Sequence, residues 1–203
     1  GMARRVLLVG AEVHSTGLDI STAGRDVTVI FGDGAAAVCV EARESDAPVG
    51  VLGSVLHANG ALAESLMTEA PASREWPRLT AEMMQARRHY PVMDGKNIFK
   101  EAVRRLPEVT REVLEATGLA LADIDLFIPH QANFRINQFY QESMKLPPEK
   151  VYQNIQRYGN TTAASIPLAL DEALEMGVVG PGSTVMFLGL GSGVTWGASV
   201  HRF

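Results

Sequence analysis

The sequence predicts an α/β fold, a mostly parallel mixed sheet covered by helices, and three observations predict it. Short apolar runs closed by glycine or proline recur along the chain, segments with helical spacing lie between several of them, and the last two runs are joined by Gly191, Ser192 and Gly193 as an antiparallel end. With 203 residues, of which 46% are hydrophobic and 20% charged, the chain is long enough to bury a full core.

Each element follows from its local pattern. Residues 6–10 (VLLVG) are short, apolar and closed by glycine, which reads as a buried strand. Residues 27–31 (VTVIF), the glycines flanking Asp33, and residues 35–41 (AAAVCVE) read as strand, tight turn or bulge, and strand. Residues 49–57 give a further strand, and the proline-bearing stretch 59–95 reads as an excursion with a short helix near 79–88. From 97 to 117, Ile98, Val103, Leu106, Val109, Val113 and Leu114 recur at helical spacing, Gly118 supplies the stop, and Pro107 is expected to bend the helix. There follow a strand at 125–129 (DLFIP), a helix at 133–145, a strand at 151–155, a helix at 161–176, and strands at 184–190 (TVMFLGL) and 194–203.

Composition excludes several classes of function. Lys and Arg number 18 against 23 Asp and Glu, for a net charge of -5, and no long run of one sign suggests nucleic acid or a polybasic membrane face. The pairs Arg87–Arg88 and Arg104–Arg105 read as solvated helix faces. No apolar stretch reaches the roughly 20 residues that span a bilayer, so no membrane association and a cytoplasmic location are expected. A single cysteine excludes an internal disulfide and a multi-cysteine metal site, and no metal is expected. Gly1 before Met2 reads as the remnant of a purification tag.

Three features could carry chemistry. His130 follows the strand DLFIP, Asn160 lies shortly after the next expected strand, and the glycine-rich residues 189–193 (GLGSG) follow TVMFL. Carboxyl ends of strands are where α/β sheets collect ligands, so the three can meet at one rim, with glycine-rich backbone aiming N–H groups at a developing oxyanion. Each alone has a plainer reading: a structural histidine, a Gly-Asn turn, a hairpin.

Taken in order, the motifs are specific. FGDGAAAV (31–38), MDGKNIFKEAVR (93–104), PHQANFRI (129–136), GNTTAASIPLALDEA (159–173) and GSGVTWGA (191–198) resemble 3-oxoacyl-acyl-carrier-protein synthase III of the thiolase-like superfamily. The resemblance implies the C-terminal portion only of such an enzyme, with residues 2–46 as the last strands of the N-terminal thiolase half and 47–203 as the C-terminal half of an αβαβα sandwich. It implies a decarboxylative Claisen condensation by a Cys-His-Asn triad, in which His130 and Asn160 match the histidine and asparagine. Two neutral N–H donors there would stabilise the enolate that forms when a malonyl thioester loses CO2. The enolate carbon would then attack an acyl group held on the cysteine.

That cysteine has no counterpart here. Cys39 sits in an alternating strand, reads as a buried hydrophobe, and does not match the family's catalytic position, so the isolated chain is expected to be inactive in acyl transfer.

By the same resemblance Arg25, Ile30, Phe31, Gly95, Phe99 and Asn133 match a coenzyme A and pantetheine channel. Lys100 and Arg135 match basic residues that meet the acyl carrier protein, and Gly191, Ser192 and Gly193 match a turn that commonly reads GGG. Ile30 and Phe99 read equally well as core, and Lys100 as a solvated helix face. No permanently bound cofactor is implied, with acyl-coenzyme A and phosphopantetheine thioesters as substrates. Implied partners are acyl carrier protein, a missing cysteine-bearing N-terminal half, and a second copy that would cover the apolar helix 161–176 in a homo-oligomer. A thiolase-fold hydrolase or decarboxylase, and a non-catalytic truncated module or partner subunit, stand as alternatives. The acyl starter, and fatty-acid versus polyketide use, stay open.

Overall fold

A computed structural model of the chain describes residues 3–203, so the reading of Gly1 and Met2 lies outside the described residues. In chain order the strands are β1 (Arg5–Glu12), β2 (Gly34–Glu41), β3 (Gly50–Ala58), β4 (Leu66–Thr68), β5 (Pro91–Met93), β6 (Leu126–Pro129), β7 (Thr184–Gly191) and β8 (Thr195–Arg202). The α-helices are α1 (Arg25–Thr28), α2 (Ala81–Gln85), α3 (Gly95–Thr117), α4 (Phe134–Ser143), α5 (Ile155–Tyr158) and α6 (Ser165–Glu175).

A four-stranded sheet in the order β3-β8-β7-β6 forms the centre, and period-two alternation assigns its faces. Phe127, Met186 and Leu188 face α3 and α4, where they pack with Leu106, Val109, Val113 and Tyr140. Leu126, Ile128 and Val185 face the opposite way, onto Ala169, Leu170 and Ala173 of α6. A strand such as LFIP, buried on both faces, has to be apolar at every position, and all four residues are buried.

The long helix has the strongest local support. Asp94 caps it, its carboxylate accepting from the Asn97 N–H at 3.1 Å. Gly118 ends it at φ 69°, a left-handed conformation that suits glycine, with its N–H returned to the Glu115 and Leu114 carbonyls. The buried stripe Ile98, Ala102, Leu106, Val109 and Val113 faces the sheet, and the helix continues through Pro107.

The strand-helix order matches the expectation in most places, and the differences have physical causes. The central sheet is mixed, but only β6–β7 pairs in parallel while β3–β8 and β7–β8 are antiparallel, so its parallel share is smaller than expected. Residues 27–31 do not form a strand: α1 occupies their start, and pairing is limited to a single parallel bridge between Phe31 and Asn160. Residues 151–155 likewise make one bridge, Val151 to Phe127, because the Gln131 carboxamide oxygen takes the N–H groups of Asn154 (3.1 Å) and Ile155 (3.2 Å) that a strand would have paired. The expected helix 161–176 begins as a 3₁₀ turn at Thr162–Ala164 and becomes α6 only at Ser165.

Three burial expectations are corrected. β1 is not a buried strand, since Leu7 is 66% and Val9 65% exposed: it pairs only with β2 in a separate two-stranded sheet. Cys39, in β2, is exposed rather than buried for the same reason. The helical segment expected to carry the uncovered apolar surface is instead largely packed, with Ala164, Ala169, Leu170 and Ala173 buried. Exposed large apolar side chains gather on β1 instead, at Val6, Leu7, Leu8 and Val9.

The Asp94 cap gives a stability test. Asp94→Ala should lower the unfolding free energy by about 1 kcal/mol, read as a shifted urea midpoint at unchanged slope.

Candidate active site

His130 owes its position to the parallel ladder. β6 ends at Pro129, and the next N–H, that of His130, donates to the Leu188 carbonyl at 2.7 Å, so the ring emerges at the carboxyl end of the sheet. Its Nδ1 lies 2.5 Å from Ser165 Oγ at the start of α6. Burial pushes its pKa from the ordinary 6.5 down to about 4, so the ring is neutral at pH 7.

Asn160 is held by backbone on both sides. Its N–H donates to the Ile30 carbonyl at 2.9 Å, and its carbonyl accepts from the Gly32 N–H at 3.0 Å. The approach is so close that a Cβ on Gly32 would fall 1.9 Å from the Tyr158 carbonyl oxygen, which only glycine allows. Within the side chain, Oδ1 accepts from the Thr162 N–H at 2.9 Å, which leaves the donating Nδ2 as the outward end.

Gln131 ties the two loops together. It is buried, and its carboxamide is fully used: Nε2 donates to the carbonyls of Pro129 (2.7 Å) and Tyr152 (3.3 Å), while Oε1 accepts from the N–H groups of Asn154 and Ile155. One residue after His130 thus anchors the segment that leads to Asn160.

His130 and Asn160 open onto one cavity of about 1070 Å³, walled by apolar side chains including Ile98, Leu106, Ile136, Leu188 and Trp196. Ile30, Phe31, Gly95, Phe99, Asn133, Gly191 and Ser192 also line it. Asn133 does so as the N-cap of α4, its Oδ1 accepting from the Arg135 N–H at 2.9 Å. Gly193, Arg25, Lys100, Arg135 and Cys39 are not among the lining residues. Arg25 is exposed and lies 3.6 Å from Asp26, and Lys100 and Arg135 are exposed on α3 and α4. The glycine-rich turn is partly committed to structure. Ser192 Oγ donates to the Leu66 carbonyl at 2.5 Å, and the Val194 N–H to the Asn59 carbonyl at 3.1 Å, so that amide is not available to an oxyanion. Among the described residues no group of three or more His, Cys, Asp or Glu side chains could hold a metal ion.

Sequence reasoning missed Ser165, Gln131 and the Thr162 N–H. Their roles depend on contacts across 35, 21 to 24, and two positions respectively, and the first two carry no spacing signal. The Ile30 carbonyl was missed as well, although Ile30 itself was singled out for the channel.

The depressed pKa of His130 has a consequence for stability. The unfolded chain takes up a proton near pH 6.5 and the folded ring only near pH 4, so stability is complete above about 6.5 and falls by on the order of 3 kcal/mol as pH drops through that window. His130→Gln should flatten this acid limb by about 1.4 kcal/mol per pH unit, measured by urea unfolding between pH 4.5 and 7. Parallel limbs in the two proteins would show that the ring is not buried neutral.

Comparison with known proteins agrees with this architecture. Residues 114–203 match the family described as 3-oxoacyl-[acyl-carrier-protein] synthase III C terminal, and residues 1–60 match the family described as 3-oxoacyl-[acyl-carrier-protein] synthase III. The expectation of the C-terminal portion only is corrected by the second match, which takes in β1, β2 and β3. A beta-ketoacyl-[acyl-carrier-protein] synthase III of Erythrobacter litoralis is 42% identical over 204 residues, covering 100% of this chain and 60% of the relative. The crystal structure of the synthase III from Aquifex aeolicus superposes with a TM-score of 0.84 at 40% identity, over 98% of this chain and 58% of that one. The priming beta-ketosynthase of the R1128 polyketide pathway superposes with a TM-score of 0.83 at 32% identity, over 99% and 57%. The chain therefore spans about 60% of the length of the curated relatives it matches. Over that length, in sequence at both ends and in its thiolase-like mixed sheet with covering helices, the chain is similar to the 3-oxoacyl-[acyl-carrier-protein] synthase III family.

Proposed function

We propose that this chain carries the decarboxylating half of a condensing site, in which His130 and Asn160 stabilise the enolate formed from a malonyl thioester. The observation that supports it most is that two uncharged side chains, one a histidine kept neutral by burial, share one apolar cavity. Loss of CO2 leaves the electron pair of the broken C–C bond on the α-carbon and, by delocalisation, on the thioester oxygen. Hydrogen bonds from His130 Nε2–H and Asn160 Nδ2–H would stabilise that oxygen in a dry site, where such donors act most strongly. The cavity, lined by Ile30, Phe31, Gly95, Phe99 and Asn133, is of a size to take a pantetheine arm, and coenzyme A or carrier-protein thioesters are the proposed substrates. Exposed Lys100 and Arg135, with no ion pair among the described residues, suit contact with an acidic carrier protein. The relatives' names, all beta-ketoacyl-[acyl-carrier-protein] synthase III, support the same reading.

Cys39 favours a division of labour. It is the only cysteine, it is exposed on β2, and it does not line the cavity, so in this proposal it is not the nucleophile and the acylated cysteine is carried by polypeptide outside these 203 residues. The separate β1–β2 sheet and the start of the four-stranded sheet at β3 support a boundary near residue 46 between two thiolase halves. The exposed apolar side chains of β1 favour a homo-oligomer or another covering surface.

Two measurements test the proposal. Release of CO2 from malonyl-coenzyme A by the chain should fall about 10²- to 10³-fold in Asn160→Ala or His130→Ala and stay unchanged in Cys39→Ala; full activity in a folded Asn160→Ala protein would contradict it. Incubation with radiolabelled acyl-coenzyme A should leave no stoichiometric label, and label abolished by Cys39→Ala would make Cys39 the nucleophile after all.

A further inference from the structure

We infer that the Ser165 hydroxyl is a positioning group that fixes the tautomer of His130, donating to Nδ1 and leaving the ring proton on Nε2, toward the cavity. Its value for enolate stabilisation rests on the proposed decarboxylation, but the assignment of the proton does not.

Ser165 is 2% exposed, so its hydroxyl has little recourse to water. Its Oγ has two recorded neighbours, His130 Nδ1 at 2.5 Å and the Gln131 backbone N at 3.4 Å. The Gln131 N–H can only donate, and so occupies a lone pair on Oγ. The hydroxyl proton then has one recorded acceptor, the unprotonated Nδ1. Were the ring proton on Nδ1 instead, both neighbours of Oγ would be donors, and a buried hydroxyl proton would be left without a partner. The N-cap of α6 is Ala164, and the hydroxyl of Ser165, the first helical residue, bonds only to His130 and Gln131, so it is not spent on the helix backbone.

Which nitrogen holds the proton decides what the site can do. With Nε2–H toward the cavity the ring is a donor for a developing oxyanion; with the proton on Nδ1 it would present a lone pair, which repels one. A hydroxyl achieves this without adding charge. A carboxylate in the same place would favour the imidazolium form, whereas Ser165 leaves the ring neutral.

The tautomer can be read directly. In long-range 1H–15N correlation spectra of the chain labelled with 15N-histidine, the His130 signals are those lost in His130→Gln. At neutral pH wild-type His130 should show a protonated Nε2 and a hydrogen-bonded, unprotonated Nδ1. In Ser165→Ala the Nδ1 resonance should move away from its hydrogen-bonded position, with Nδ1–H tautomer appearing, and Ser165→Thr should restore the wild-type pattern, with amide spectra confirming the fold. A wild-type ring protonated on Nδ1, or Nδ1 and Nε2 resonances unchanged in folded Ser165→Ala, would overturn the inference. Should Ser165→Ala fail to fold, the wild-type and Ser165→Thr rings decide it, and Nδ1–H in either defeats it. No substrate is involved, so failure of the proposed decarboxylation and failure of this assignment are separate results.

Discussion

Desolvation of His130 is the constraint from which the rest of the site follows, because an imidazole that cannot hold a proton at neutral pH can act only as a neutral donor or acceptor. Burial of the ring is produced by the sheet, not by the histidine. The all-apolar strand β6 delivers it between the α3–α4 layer and α6, and the His130 N–H continues the ladder to Leu188 so that the ring has little freedom to swing outward. With Ser165 buried against the ring, its hydroxyl needs a defined partner, and Ser165 becomes as much a part of the site as the histidine.

Asn160 answers a different requirement. It lies outside any strand, with only a single bridge to Phe31, and its orientation is imposed by three hydrogen bonds: its N–H donates to the Ile30 carbonyl, its carbonyl accepts from the Gly32 N–H, and its Oδ1 accepts from the Thr162 N–H. Thr162 adopts φ 40°, an unusual conformation for a threonine, which points to a turn determined by its surroundings rather than by local preference. Gln131 joins the two systems, since the residue after the histidine holds the backbone that leads to the asparagine. Two donors on separate loops are thereby kept in a fixed relation without a direct contact between them.

Further from the site, the molecule is unevenly finished. Strands β6 and β7 are covered on both faces, by α3 and α4 on one side and α6 on the other, while the β1–β2 pair leaves leucines and valines in water, as β3 does at Val51 and Leu56. An apolar strand with no alternation is suited to burial on both faces, so β1 carries the composition of an interior strand in a position that this chain alone does not enclose.

Periodicity and caps made much of the fold legible in the sequence. The stripe from Ile98 to Val113, the Gly118 stop, the strands LFIP and TVMFLGL, and the antiparallel return through Gly191 and Gly193 are local signals, because each depends on residues within a turn or two of one another. His130 and Asn160 were legible through their place after strands and through ordered motifs. Tertiary structure alone decided what surrounds them. Local β-propensity in VTVIF gave way to α1 and a single bridge to Asn160, the N–H groups of Asn154 and Ile155 went to a glutamine more than 20 positions earlier, and the hydroxyl beside the His130 ring came from the first residue of α6. The reason is physical: the sequence by itself determines which segments are apolar and at what period, whereas the partner of a buried donor or acceptor is settled by what packing brings within about 3 Å of it.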